Sequence, residues 1–270
     1  MSIYRTERVV YFDLAMQSIW ENQTYQPDEI ILVQDGPLTD ELYESLKYWK
    51  KKILDKLILV PLETNVGLTR ALNIGIPFCS GRYIARMDTD DICYPHRFEL
   101  QIQFLELHQD ISVLGTGMQE INENGKLMHL RTYPSKMDQI INYIPKASPL
   151  AHPTVMIRNE LFNKGFRYNE KYRKSQDVDL WFRVIDAGYR ISNLPCSLVY
   201  FRRTQKTYKK RKNIKSSWDE LFIYFHGIKR LYGLISWRYI YPITRFCIKL
   251  FPSTILKFIY NSFFVKKYNY

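Results

Sequence analysis

Apolar residues in the first hundred positions recur with two periods in turn, and this alternation constrains the fold more than any other feature of the chain. Helical spacing over about 11–21 gives way to a short apolar run at 29–33. A second helix is expected from about 40 to 52, with Thr39 or Asp40 as its cap, then an apolar run at 57–61. The Asn65-Val66-Gly67 loop leads into a helix through Ile74, and Tyr83–Met87 reads as a further strand. Strand-helix-strand repetition of this kind predicts an α/β fold: a mostly parallel sheet flanked by helices.

Beyond it, a helix is predicted from about Pro95, in its first turn, to His108. From Ser112 the spacing predicts short strands and a hairpin at Glu123-Asn124-Gly125. A helix near Met137–Tyr143, a strand at Thr154–Ile157, a helix from Asp177 to Ala187 ended by Gly188, and strands near Arg190–Asn193 and Leu198–Phe201 follow. Only Met1-Ser2-Ile3-Tyr4 precedes the first helix. A truncated central strand would leave neighbouring backbone groups unpaired, so the true start is expected upstream.

The net charge of +12 is unevenly distributed: residues 1–200 carry 23 basic and 25 acidic groups, residues 201–270 carry 16 and two. The last segment also holds 18 of the 41 aromatic residues, so an acidic partner is sought there specifically. Four scattered cysteines lack ligand or disulfide spacing. No cationic-then-apolar segment opens the sequence, so a cleaved secretory leader is not expected, and lysines interrupt the apolar carboxy-terminus before it reaches the ~18 residues of a membrane span.

Arg86-Met87-Asp88-Thr89-Asp90-Asp91 places three carboxylates at the carboxyl end of a predicted strand, where open α/β sheets bind ligands. Carboxylates this close repel unless a cation intervenes, and all-oxygen ligation suits Mg²⁺ or Mn²⁺ on phosphate oxygens. The alternative is a solvated acidic turn capping the next helix. Asp35-Gly36 and Asn65-Val66-Gly67 also end strands, so three loops converge on one crevice.

Six ordered blocks carry a family resemblance: Gln23-Thr24 with Pro27-Asp28-Glu29-Ile30; Val33-Gln34-Asp35-Gly36; Asn65-x-Gly67-Leu68 with Ala71-Leu72-Asn73-x-Gly75; Met87-Asp88-x-Asp90-Asp91 with Pro95-x-Arg97; His152-Pro153-Thr154; and Gln176-Asp177-x-Asp179-Leu180-Trp181. Together they resemble glycosyltransferase family 2, most of all bacterial enzymes that build O-antigen, capsule or exopolysaccharide. The resemblance implies a GT-A fold over residues 1–204 and inverting transfer of one sugar from a nucleotide donor, with UDP-glucose or UDP-galactose expected. By resemblance Ser2, Tyr4 and Asp35 line the nucleotide pocket, with Asp35 accepting from uracil. Asp90 ligates Mn²⁺ or Mg²⁺, with Asp88 toward the ribose or the metal. Arg70 faces the diphosphate or is a solvent-exposed helix arginine. Asp177 matches the catalytic base, its helix first turn being expected to keep it ionised. It also reads as a simple N-cap. His152 and Trp181 are candidate acceptor contacts, and His152 alternatively a packed loop residue.

Two departures stand out. Gln176 occupies a position that is commonly Glu, and no histidine follows the last strand, where Phe201-Arg202-Arg203-Thr204 stands instead. Arg202, Arg203 and the run Lys209–Lys212 are expected to neutralise phosphates of the donor or of a lipid diphosphate. The Gln-x-x-Arg-Trp pattern of processive synthases is absent, which favours single additions.

Residues 205–270 form a basic, aromatic, amphipathic extension. Ile214 to Tyr232 keeps one apolar face that packs on the body or meets a membrane. Tyr239 to Tyr268 suits the interface of an anionic bilayer, where a polyprenyl-diphosphate-linked sugar acceptor resides. The expectation is a cytoplasmic enzyme peripherally bound to the inner face of the cell membrane. A non-catalytic nucleotide-binding scaffold is the alternative, and no nucleic-acid partner is expected.

Overall fold

β2 (Ile30–Gln34) is buried along its whole length, and the amino-terminal half is arranged around it. The computed structural model describes residues 1–204 and 214–250. β1 (Ser2–Ile3) and β3 (Leu57–Pro61) flank β2 in parallel, in the order β1-β2-β3, with Ile30 opposite Leu57 and Ser2 opposite Val33. α1 (Val9–Trp20) and α2 (Asp40–Ile53) pack on one face. Phe12, Met16, Leu42, Leu46 and Trp49 meet Leu32 and Leu57 there. Thr39 caps α2 as expected, its hydroxyl accepting the Leu42 N–H at 3.4 Å. α3 (Leu68–Gly75) covers the other face, where Ala71 meets Ile31 and Val33.

The second sheet has six strands: β4 (Tyr83–Ala85), β5 (Ile92–Cys93), β6 (Ile111–Ile121), β7 (Leu127–Arg131), β8 (Met156–Arg158) and β9 (Arg190–Arg202). Its order is β4-β8-β6-β9-β5, with β7 beside β6. The parallel order read from the sequence holds in the first sheet and in the long β6–β9 pair, and the remaining pairs are antiparallel. The Asn122–Lys126 turn shows why. A connection this short can only return the chain antiparallel. β9 is one strand where two were expected, because Pro195 falls where the pairing to β6 shifts register, and a bulge tolerates a missing N–H.

Smaller differences are also local. α4 (Arg97–Leu107) begins after Pro95, which lies outside the first turn. The strand expected at Thr154–Ile157 begins two residues later, as β8, because His152–Thr154 forms a 3₁₀ turn in which the Thr154 hydroxyl donates to Ala151 O at 2.8 Å and accepts from Thr116 N at 3.0 Å. α5 (Met137–Tyr143), α6 (Asn159–Asn163) and α7 (Gln176–Asp186) complete the body, and Gly188 (φ 86°) ends α7's turn.

The first strand is short, as its sequence requires. The Met1 ammonium is buried beside β2, donating to Ile31 O at 2.8 Å, and burial lowers its pKa to about 6. Next to it lies a cavity of about 320 Å³ between β2 and β4, lined by Ile30, Ile31, Tyr83, Ile84 and Ala85 among others.

α8 (Ile214–Tyr232) settles on α7 through buried Ile223, Tyr224 and Ile228. Gly227 permits the approach: a Cβ there would lie 2.3 Å from the Phe182 ring. α9 (Ile240–Leu250) folds back on α8, with Arg245 bonded to Glu220 at 2.9 Å and Trp218 against Phe246 at 4.5 Å. The apolar face read in 214–232 thus packs on the body. Lys209–Lys212 and the end of the Tyr239–Tyr268 stretch lie outside the described residues. No helix among the described residues is long and apolar enough to cross a membrane.

Candidate active site

Side-chain alternation along β4 and its continuation puts Arg86 and Asp88 on one side of the chain. Arg86 is 7% exposed, and its guanidinium donates to the Asp88 carboxylate while Nε and Nη1 have no acceptor among the described residues. Arg97, fully buried on α4, fixes this strand end by donating to Arg86 O at 2.7 Å and to Gln101 Oε1 at 3.1 Å. Gln101 in turn bonds Leu114 O and Thr154 O.

The Asp88, Asp90 and Asp91 oxygens lie within 4.8 Å of one another. Burial, with repulsion from Asp88 and Glu7, pushes Asp90 up to about 7. Asp91 is fully buried and pushed well above the carboxylate range by burial and by Asp90 and Asp88. Its Oδ1 accepts the Arg202 N–H at 2.8 Å, and Oδ2 has no partner among the described residues. A close all-oxygen set with an orphaned buried oxygen and protons held near neutrality fits a divalent cation, whose charge would remove the repulsion. Among the described residues this is the one group of three such ligands.

The other loops converge as the sequence suggested. Asp35 is 4% exposed and ties two strand ends together: Oδ1 accepts Val66 N at 2.6 Å, and Oδ2 accepts Gly67 N at 3.0 Å and Asn65 Nδ2 at 3.1 Å. Of the carboxylate's four acceptor positions, three serve the loop, leaving one for a ligand. Gly36 is required here, because its φ is 86° and a Cβ would sit 2.7 Å from Asn65 N. Ser2 and Tyr4 stand at the neighbouring end of β1, where Ile3 O accepts the Asp35 N–H at 2.8 Å.

Asp177 is the second residue of α7, entered through Ser175 in a left-handed conformation (φ 56°). Burial raises its pKa. The N–H groups of Val178 and Asp177, the Arg86 charge and the Ser148 hydroxyl pull the other way without cancelling it. The helix terminus therefore helps the anion as expected, but burial outweighs it. His152 bonds Tyr168 Oη at 2.9 Å and stands edge-on to Trp181 at 6.4 Å. Burial and Arg86 hold it well below the usual histidine range, hence neutral.

Other expected residues are placed elsewhere. Trp181 is fully buried in the core, behind His152 and Tyr168. Arg70 is 60% exposed and 3.9 Å from Glu170. Arg202 is 3% exposed: it donates to Asp90 O at 2.9 Å and lies over the Tyr11 ring at 4.2 Å. Arg203 is 8% exposed and donates to buried Glu120 at 2.6 Å. Both arginines are thus drawn inward, holding the acidic loop and the end of β9. Sequence reasoning missed Arg86, Glu7, Ser148 and Tyr168. Only Arg86 carried a signal, its two-residue spacing from Asp88 in a strand.

Comparison with known proteins matches residues 13–166 to the family "Glycosyl transferase family 2". The chain is 32% identical over 263 residues to the amylovoran biosynthesis glycosyltransferase AmsE of Erwinia amylovora, covering 97% of this chain and 96% of that one. It is 31% identical to the Escherichia coli UDP-Gal:alpha-D-GlcNAc-diphosphoundecaprenol beta-1,3-galactosyltransferase, covering 97% and 94%. The crystal structure of S. aureus TarS 1-349 in complex with UDP superposes with a TM-score of 0.60 at 17% identity, covering 98% of this chain and 72% of that one. The shared architecture is the GT-A fold expected from the sequence.

Proposed function

The chain belongs to glycosyl transferase family 2, and from that premise we propose that it moves a single hexose from a UDP-sugar, with inversion, to a hydroxyl of a lipid-diphosphate-linked sugar in bacterial surface polysaccharide synthesis. The observation that carries this reading is Arg86, whose buried guanidinium pairs with Asp88 and whose charge acts on Asp90, Asp91, His152 and Asp177 alike. The acidic loop and Asp177 thus lie within the field of one buried charge, which supports reading them as donor side and base of one site.

Asp177 takes the proton of the acceptor hydroxyl while that oxygen bonds to the anomeric carbon and the bond to the diphosphate breaks. A single base suffices, and burial raises its pKa toward the operating pH, which suits a general base. Neutral His152 and Tyr168 offer hydrogen-bonding groups to the acceptor. Asp90 and Asp88 would hold Mn²⁺ or Mg²⁺, which when bound supplies positive charge to the departing diphosphate. The remaining acceptor position of Asp35 suits a uracil N–H, with Ser2 and Tyr4 beside it. A relative bearing a diphosphoundecaprenol acceptor in its name supports the acceptor class. The basic extension at 205–270 would place the enzyme on the anionic inner face of the cell membrane.

The test is a screen of nucleotide-sugars with Mn²⁺ or Mg²⁺ and a synthetic lipid-diphosphate sugar, run beside Asp177→Asn and Asp90→Asn. Asp177→Asn is expected to lower kcat about 10²–10⁴-fold with UDP binding unchanged. Asp90→Asn is expected to lose the metal response. Full activity in both variants, or no turnover with any donor, would overturn the mechanism.

A further inference from the structure

The turn between α8 and α9 gathers large apolar side chains that are exposed, among them Ile235, the most exposed large apolar residue of those described. Ile235 is 99% exposed, Leu234 74% and Trp237 66%, and Ile240 and Ile243 on the first turns of α9 follow at 51% and 42%. The corner is built and held, not frayed. Gly233 adopts φ 78° to end α8 and bonds its N–H to Lys229 O at 3.0 Å. Ser236 accepts the Arg238 N–H at 3.4 Å, and Tyr239 Oη donates to Gly233 O at 3.1 Å. Isolated exposed apolar residues are ordinary, but five on one ordered corner are not.

Its rim is cationic. Lys229 and Arg230 end α8, Arg238 lies over the Tyr232 ring at 4.2 Å, and Lys146 lies over the Tyr241 ring at 5.4 Å. Residues 221–270 contain no acidic residue. Apolar tip, tryptophan at the shoulder and cations behind it match the three depths of an anionic bilayer: acyl chains, interface and headgroups. A side chain that is 99% exposed projects from the surface. A protein partner would need a matching pocket to receive it, whereas lipid deforms around it.

The corner also joins the reaction site. The Tyr232 hydroxyl donates to Ile141 O, and Arg238 bonds Asn142 at 3.4 Å, both at the end of α5. The chain from there leads to Ser148, whose hydroxyl donates to Leu150 O at 2.8 Å and lies close enough to Asp177 to favour its anion. We propose that the Gly233–Arg238 corner is a membrane-inserting wedge that seats the protein on an anionic bilayer with α5 and the 141–148 segment, hence the acceptor side of Asp177, nearest the lipid. This rests on the membrane-acceptor reading and assigns its contact, since the outer face of this corner, more than the basic residues as a whole, sets depth and orientation.

The experiment uses the full chain and vesicles of phosphatidylethanolamine with phosphatidylglycerol, against phosphatidylcholine alone. Leu234→Asp/Ile235→Asp is expected to reduce flotation with the anionic vesicles at least about 10-fold, since each side chain loses its apolar burial, and to leave the melting temperature unchanged. An environment-sensitive fluorophore on Ile235→Cys, in a chain carrying Cys196→Ser and Cys247→Ser, is expected to shift to the blue on vesicle addition. If the parent floats but the double variant floats equally and the fluorophore stays in water, the wedge is overturned while membrane association stands. If the parent does not float, both readings fall. A parent dimer that the double variant dissociates would make the corner a self-association face, which also overturns the wedge.

Discussion

The Asp91 carboxylate accepts the backbone N–H of Arg202 at 2.8 Å, and the Arg202 guanidinium returns to the carbonyl of Asp90 at 2.9 Å. The acidic loop is thus stitched to the last residue of β9. Arg202 also reaches Asn122 O and Glu123 O at 3.4 and 3.3 Å, so one buried side chain satisfies carbonyls from two loops.

Arg202→Ala should therefore act mainly on stability. It takes the guanidinium from the Asp90 carbonyl and from the carbonyls of Asn122 and Glu123, which keep only Gly125 N–H and Tyr11 Oη, and it removes the stack on Tyr11. An expected loss of about 2–4 kcal/mol follows from breaking buried charge-assisted hydrogen bonds, measured by denaturant unfolding. Arg70→Ala, at an exposed ion pair, should stay within about 0.5 kcal/mol. Equal effects would mean that Arg202 is not the clamp the geometry describes.

The acidic loop should make stability depend on both pH and metal. Asp90 rises from 3.8 unfolded to about 7 folded, so the native state binds the extra proton. Stability from this group is present below the unfolded value and is lost as pH rises through about 7. The Met1 ammonium runs oppositely, because its folded pKa of about 6 lies below its unfolded 8.0. Comparing Asp90→Asn with the parent cancels that contribution. The parent's melting temperature should fall relative to the variant between pH 5 and 8, and Mn²⁺ should stabilise the parent more at pH 8 than at pH 5. Parallel pH curves without metal would refute the raised Asp90.

Much of this arrangement was legible because it is local. Hydrophobic period placed β2, α2 and β3, and strand-end position picked out Asp35, Asp88 and Asp90. What escaped was long-range. Arg202 reads as a phosphate ligand in a basic run, yet its partners lie about eighty and over a hundred residues earlier in the chain. Trp181 reads as a site aromatic, but its helical position points into the core beside Val178 and Ile185. Pro195 reads as a strand break because the long partner β6, which accommodates a bulge, is not visible in the local pattern. The opposing pulls of burial and helix terminus on Asp177 depend on packing that no spacing encodes.

The cavity beside Met1 makes a separate prediction about the first sheet. β4 pairs with β8 on one side only, and Ile30 and Ile31 of β2 face the same space of about 320 Å³. An apolar, β-branched segment of about five residues added ahead of Met1 would extend β1 along β2. It would also replace the buried ammonium with a peptide N–H. A rise in melting temperature of about 4–8 °C, with slowed amide exchange at Tyr83–Ala85, is expected. An added segment that left exchange at β4 unchanged would show that the space does not accept a strand.

Asp177 and Ser148 give the most direct reading of the chemistry. Burial raises the Asp177 pKa, and the nearby Ser148 hydroxyl, which donates to Leu150 O at 2.8 Å, opposes that rise. The acid limb of the rate profile should thus lie above the pH of about 4 typical of a free aspartate. Ser148→Ala removes a polar group that favours the charged form, so the limb should move further up, with the high-pH plateau altered far less than by Asp177→Asn. The expected sign is fixed: losing a stabiliser of the anion cannot lower its pKa. Profiles of kcat against pH for parent and Ser148→Ala check it, with UDP affinity measured separately to confirm an intact donor side. A limb that stays in place would mean that another group sets the rate.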